Sequence, residues 1–229
     1  GYAFSLLGQY EDAIQSYQQA LHLDGRSPQA HLGLGYIAYR QGRFDDAIRS
    51  YQAVVDFGAE GTAEAHHNLG RIYAERGDIE KAITAQNAAI AAKPDFADAH
   101  YPLGSLYSRG RQWEAAVEEY REAVRLNPSM AEAYYQLARC YTQIGDGDAV
   151  KGAMDAFHRL KAEEMEIQRH LEAVLLADNQ GEAVAILALG NAYLQQEKYP
   201  QAIVQFQRVL DLSPKSPDAY AGLGHAALE

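Results

Sequence analysis

The 229-residue sequence predicts an all-α chain of helix pairs stacked side by side, and three observations carry that prediction. The first is a small residue at a near-constant interval. Gly1, Gly35, Gly70, Gly104, Ala138, Gly190 and Gly224 are separated by 34, 35, 34, 34, 52 and 34 residues. A fixed period of this size marks a repeat architecture. The second is helical spacing inside each unit. When the chain is ruled into rows of 34 from Pro28, columns 4, 7, 8 and 11 fall within one arc of about 100° on a helical wheel. They hold His66, Leu69, Gly70 and Tyr73 in one row, and His100, Leu103, Gly104 and Tyr107 in the next. The third is energetic: one such pair cannot cover its own apolar face, but stacked pairs can.

Each row reads as helix, turn, helix. Gly or Ala in column 8 lets two helix backbones approach closely, and a tyrosine fills the neighbouring gap. A turn follows at Gly42, Gly77 or Gly145, where glycine suits a helix end. The second helix then buries Ala82, Ile83, Ala89 and Ile90 in one row, and Ala116, Val117, Tyr120 and Ala123 in the next. A second small residue recurs at Ala13, Ala47, Ala82, Ala116, Ala149 and Ala202, and Pro94, Pro128 and Pro214 close units. The resulting pattern, L-G…Y…G-x-[YF]…A…[YF]…A…P, resembles the tetratricopeptide repeat (TPR) family over nearly the whole chain. That resemblance implies antiparallel helix pairs wound into a right-handed α-solenoid. A single solenoid over 1–229 is expected, with repeats at 1–27 (partial), 28–62, 63–96, 97–130, 131–182, 183–216 and 217–229 (partial). Gly1 enters part-way through a first helix and Glu229 stops after one, so a longer natural protein is expected.

Composition narrows the function. Net charge is −11, which argues against a general binder of nucleic acid or anionic membrane, since phosphate backbones need a positive field. Single-stranded nucleic acid on a local Tyr/Arg surface is a minor reading against that total. No apolar run approaches the roughly 20 residues of a membrane span. Cys140 is the sole cysteine, so there is no disulfide frame or thiolate zinc site, and mid-helix it reads as an inert small hydrophobe. His31, His66 and His100 share column 4 with Tyr134 and Tyr220 and read as packing residues, about a helix diameter apart, ~10 Å, too far to share a metal. Neither a metal nor any other cofactor is indicated. No P-loop, G-x-S-x-G or H-E-x-x-H is present, so catalysis is not expected.

Columns 2, 5, 9, 12 and 13 lie away from the packing arc. In TPR proteins that face lines the concave groove, where peptides or partner helices lie. The resemblance therefore implies a partner-binding surface of Tyr36, Tyr39, His67, Asn68, Arg71, Tyr101, Ser105, Tyr135, Arg139 and Asn191. Tyrosine beside arginine is the composition of binding surfaces, because both present large contact area with a polar end. Arg71 and Arg139 are expected to pair carboxylates on the partner. Arg40, Glu75 and Arg109 occupy column 13, and the two arginines also answer the helix dipole. The Lys/Asn clamp with which some relatives hold a C-terminal carboxylate is not reproduced. The column-6 asparagine ladder of others survives only at Asn68. Pro102 lies beyond the first turn of its helix, where it removes the donor to the carbonyl of Asp98.

One unit is 18 residues too long. The run from Ala149 to Ala177 has no proline and one glycine, and reads as long helix with an insertion at about 158–178. Phe157, Leu160, Glu164, Ile167, Leu171 and Val174 form a coiled-coil-like seam that Glu164 interrupts. Two readings stay open: the helix packs on its own neighbours, or it is an arm that dimerises or docks a partner. Self-association would use this 157–174 helix or the chain ends. The expected function is a non-enzymatic scaffold or adaptor holding a protein or peptide segment in the groove. The alternative is the substrate-recruiting arm of a larger enzyme, as in the glycosyltransferase relatives of the family.

Overall fold

The structure is a computed structural model and describes residues 10–58, 60–177 and 181–227. Among the described residues there are twelve α-helices and no strand. They are α1 (Tyr10–Leu23), α2 (Pro28–Arg40), α3 (Phe44–Phe57), α4 (Thr62–Arg76), α5 (Ile79–Ala92) and α6 (Ala97–Arg109). They continue with α7 (Trp113–Leu126), α8 (Ala131–Ile144), α9 (Gly147–Leu176), α10 (Glu182–Gln195), α11 (Tyr199–Leu212) and α12 (Pro217–Ala226). Gly1, Asp178 and the C-terminal Glu229, on which parts of the sequence reading fall, lie outside the described residues. The chain divides into two compact units, one up to Met154 and one from Asp155 onward.

Local chemistry sets the helix ends. Ser27 and Ser216 cap α2 and α12: each hydroxyl accepts from the amide three residues on, Ala30 at 3.4 Å and Ala219 at 3.3 Å. A proline follows each cap at the first helical position, where its missing N–H costs nothing. The turn inside each pair is one motif repeated. The carbonyls of Tyr73, Tyr107, Tyr141 and Tyr193 accept from the amides of Asp78, Gln112, Asp146 and Lys198, at 2.9, 2.9, 3.1 and 2.9 Å. Such a bond requires a left-handed residue just before the donor. Gly77 and Gly145 supply it at φ 82° and 88°, but Arg111 and Glu197 take the same place at 57° and 56°.

In the first unit, α2/α3, α4/α5 and α6/α7 are packed pairs, with α1 before them and α8 after. The first helices α2, α4, α6 and α8 touch one another in sequence, while the second helices α3, α5 and α7 do not. The first helices thus make the tighter layer of that unit. Its core is built from Tyr51, Val54, Leu69 and Ile72, then Val117, Tyr120, Leu137 and Cys140. The column-8 glycines have a different cause from the one expected. They admit a side chain, not another backbone: a Cβ on Gly35 would lie 2.6 Å from Cε1 of Tyr51, and one on Gly104 would lie 2.9 Å from Cδ1 of Tyr120. The ring belongs to the second helix of the same pair.

In the second unit α10 and α11 pair, and α12 packs on both. Phe206, Ile186 and Val209 form its core. Helix α9 runs 30 residues without interruption through the expected insertion. Val150, Ala153 and Met154 belong to the core of the first unit. Val174 packs on the core of the second, where the Gln196 amide also donates to the Glu163 carbonyl at 3.0 Å. Other apolar residues of α9, among them Met165, Leu175 and Leu176, are exposed.

Candidate functional site

Helical spacing places Tyr36, Tyr39 and Arg40 on α2, and His67, Asn68, Arg71 and Glu75 on α4. Tyr101, Pro102, Ser105 and Arg109 stand on α6, and Tyr135 and Arg139 on α8. Tyr39 and Arg71 meet across two neighbouring helix pairs of the first unit. The Arg71 guanidinium lies 4.8 Å from the Tyr39 ring centroid, and its Nη2 donates to the Tyr39 hydroxyl at 3.1 Å. Its Nη1 reaches Asn68 Oδ1 at 3.5 Å. The Tyr39 hydroxyl in turn donates to Glu75 Oε1. Burial pushes the Tyr39 phenol up, the bond to Glu75 adds to that, and Arg71 opposes it. Tyr39, Asn68, Arg71 and Glu75 are therefore one network. Beside it Arg40 donates to the Tyr36 hydroxyl at 2.9 Å.

His67 is turned toward the second helix of its own pair. Its Nδ1 donates to Gln86 Oε1 at 3.1 Å, and Gln86 Nε2 donates back to the His67 carbonyl at 3.3 Å. The imidazole meets Phe96 edge-on at 5.5 Å. Burial pushes this histidine below its usual range, against the opposing Gln86 bond, and burial lowers His66 as well. Three of the column-4 residues share a use that spacing alone does not reveal. The ring nitrogen Nε2 of His31 lies 3.2 Å from the Gly25 carbonyl, and that of His100 lies 3.3 Å from the Pro94 carbonyl. The Tyr220 hydroxyl donates to the Pro214 carbonyl at 3.4 Å. Each ties a first helix to the turn that precedes it. His100 also carries Nδ1 2.7 Å from Glu119 Oε2. Among the described residues no cluster of three or more His, Cys, Asp or Glu is placed to hold a metal ion.

On α6 the Tyr101 ring lies 5.6 Å from that of Tyr120. The Tyr120 hydroxyl donates to Ser105 Oγ at 3.0 Å, and Ser105 donates to the Tyr101 carbonyl at 3.1 Å. Burial pushes Tyr120 up to about 12, with the Ser105 bond and the nearby Arg139 pulling the other way. Arg139 donates to Gln136 at 3.0 Å, and Tyr135 is 42% exposed. Burial raises the Cys140 thiol, so this residue is held away from thiolate chemistry. Asn191 belongs to the second unit, on a cavity that Leu187, Leu194, Asp218 and His225 also line.

Between α4 and α6 the first-helix layer opens into a cavity of roughly 270 Å³. Arg71, Ala74, Glu75, Tyr101, Pro102, Ser105, Leu106 and Arg109 line it, and Gln86 of α5 is part of its wall. Sequence reasoning missed Gln86. The signal was present: the second helices carry Tyr51, Tyr120 and Phe206 where α5 carries Gln86, the one polar residue in a column that otherwise holds rings and Met154.

Comparison with known families agrees with this geometry. The tetratricopeptide repeat profile matches residues 1–62, and a second TPR repeat profile matches 70–110, 106–145 and 190–229. The chain belongs to the tetratricopeptide repeat family. Comparison with curated protein sequences gives no match. Among solved structures, one titled as the crystal structure of MamA has 26% identity and a TM-score of 0.62, over 72% of this chain and 95% of that one. YrrB, titled a TPR protein with an unusual peptide-binding site, has 18% identity and a TM-score of 0.59, over 91% and 97%. The pilF protein of Pseudomonas aeruginosa has 17% identity and a TM-score of 0.63, over 96% and 92%. The latter two show the fold alone. TPR repeats are interaction modules, generally without catalytic activity, which makes the chain a protein-interaction scaffold. Among the described residues no helix is long and apolar enough to cross a membrane.

Proposed function

We propose that a segment of a partner protein lies across the first-helix layer of the first unit, and that the chain acts there as a non-enzymatic adaptor. One observation carries this reading. A row of half-exposed tyrosine and arginine side chains runs from Tyr36 on α2 through Tyr39 and Arg71 to Tyr101, Tyr135 and Arg139. It lies on the helices that touch one another, the tighter side of the unit. The Tyr39–Arg71 pair is already ordered, so a partner meeting it loses less side-chain freedom on binding. Tyrosines offer stacking area and arginines offer charge, the pairing that dominates binding energy at protein interfaces.

The test replaces Tyr101, Tyr135 and Arg139 by alanine together and compares partner recovery from a pull-down with that of the unaltered chain. Recovery should fall at least tenfold, on the order of 1.4 kcal/mol or more. Undiminished recovery by a folded triple variant overturns the reading.

A further inference from the structure

We propose that the cavity between α4 and α6 is a specificity pocket for an acidic side chain, Asp or Glu, of an extended partner segment, with Arg109 receiving the carboxylate. This rests on the reading that a partner segment lies on the first-helix layer. The room comes from one residue. In neighbouring pairs the second helix sends a ring against the first helix, Tyr51 at Gly35 and Tyr120 at Gly104. At Gly70 the corresponding side chain is Gln86, whose amide is folded back onto His67 through both its oxygen and its nitrogen. The space a ring would take is left open, and at roughly 270 Å³ it is large beside the ~30 Å³ share of one water. It is a side-chain-sized hole in the face that meets the partner.

Charge selects the occupant. The chain as a whole carries −11, yet this pocket has two arginines against one carboxylate. The carboxylate, Glu75, already accepts the Tyr39 hydroxyl. Arg71 has turned one amino group to Tyr39 and the other to Asn68. The Arg109 guanidinium makes no ion pair or hydrogen bond with any described residue, so it is the cation left for a ligand. Arg139 keeps an exposed guanidinium with one bond to Gln136 on its own helix, but it does not line this cavity; the guanidinium available inside it is Arg109, one turn beyond Ser105. The Tyr101 ring and Pro102 form an apolar wall beside it, which suits the short aliphatic stem of an aspartate or glutamate. One amide hydrogen of Gln86 also remains for an acceptor. A lysine or arginine from the partner would meet two like charges.

The experiment selects phage-displayed random 12-residue peptides on the full chain, then measures a labelled synthetic peptide of the selected consensus by fluorescence anisotropy. The expected consensus has an acidic residue beside an apolar one. Changing that residue to its amide in the peptide should weaken binding about tenfold. In the Arg109→Gln chain the same peptide change should have little further effect, because the group that reads the charge is gone. Gln86→Tyr should fill the hole and remove the acidic preference, with helix content followed by circular dichroism; Arg109, being exposed, keeps the test open if that variant misfolds. A consensus without an acidic residue overturns the proposal, and so does an amide penalty that persists in Arg109→Gln. Binding that depends on a free peptide C-terminus and not on the internal acid also overturns it. Peptide binding that survives the Tyr101, Tyr135 and Arg139 triple replacement sinks the binding-face reading itself, a separate result.

Discussion

In the pair α6/α7 the Tyr120 ring lies over Gly104 and gives its hydroxyl to Ser105, whereas in α4/α5 the same place at Gly70 holds the amide of Gln86. Both pairs have a buried glycine, a left-handed residue at the turn (Gly77 in one, Arg111 in the other) and the same bond closing the turn. They differ in how the inside is filled. Tyr120 is an apolar ring with a polar end, and its burial contributes through area. Gln86 is almost fully buried and is tolerated because its amide oxygen and nitrogen both find partners on His67. Amide-filled space leaves a cavity on the face where Arg71, Tyr101 and Arg109 converge. Packing redundancy among stacked units allows one of them to give up an aromatic contact and gain a recess.

The sharpest way to break that comparison is to empty both positions. Tyr120→Ala should cost about 3–5 kcal/mol in urea unfolding, from lost burial and the hole left behind. Gln86→Ala should cost less, about 1–2 kcal/mol, mainly by stranding the His67 Nδ1 hydrogen and carbonyl. A larger loss at Gln86 than at Tyr120 would mean that the amide, not the ring, is the better filling. A gentler probe is pH. Burial holds the His67 imidazole below its usual range, so the unfolded chain binds the proton more readily. Its contribution to stability is complete above about 6.5, the unfolded value, and is lost as pH falls below that toward the lower folded value. Melting temperatures measured from pH 7.5 down to 5.5 should therefore decline less steeply in His67→Gln than in the unaltered chain. An unchanged slope would show that His67 is not held neutral by its surroundings. The smallest effect concerns the turns. Arg111 in α6/α7 sits at φ 57° where α4/α5 has Gly77. Arg111→Gly should raise stability by up to about 1 kcal/mol, since a left-handed non-glycine residue stores strain of that order. Thermal or urea unfolding checks the sign.

Much of the fold was legible because its determinants are local or periodic. The spacing of Gly35, Gly70, Gly104 and Gly190 marks where a second-helix side chain will cross, and Gly77 and Gly145 mark the turns. The turn at Arg111 was not legible, since nothing in an arginine advertises a left-handed backbone; the neighbouring bond from Gln112 to the Tyr107 carbonyl imposes it. Among the candidate residues, helical phase sufficed to group Tyr39 and Arg71, which do meet. Phase could not say that the His67 ring nitrogen would be bonded to Gln86, nineteen positions away, because that bond joins two helices.

By itself the sequence determined that the chain forms paired helices, one of them long, and which stripe of each is buried, because backbone hydrogen bonds and apolar periodicity act within a few residues. Only the tertiary structure decided which arginine is spent inside the fold and which is left over, and where a missing ring becomes a recess. Those outcomes depend on groups brought together from neighbouring repeats, and no single repeat contains the information.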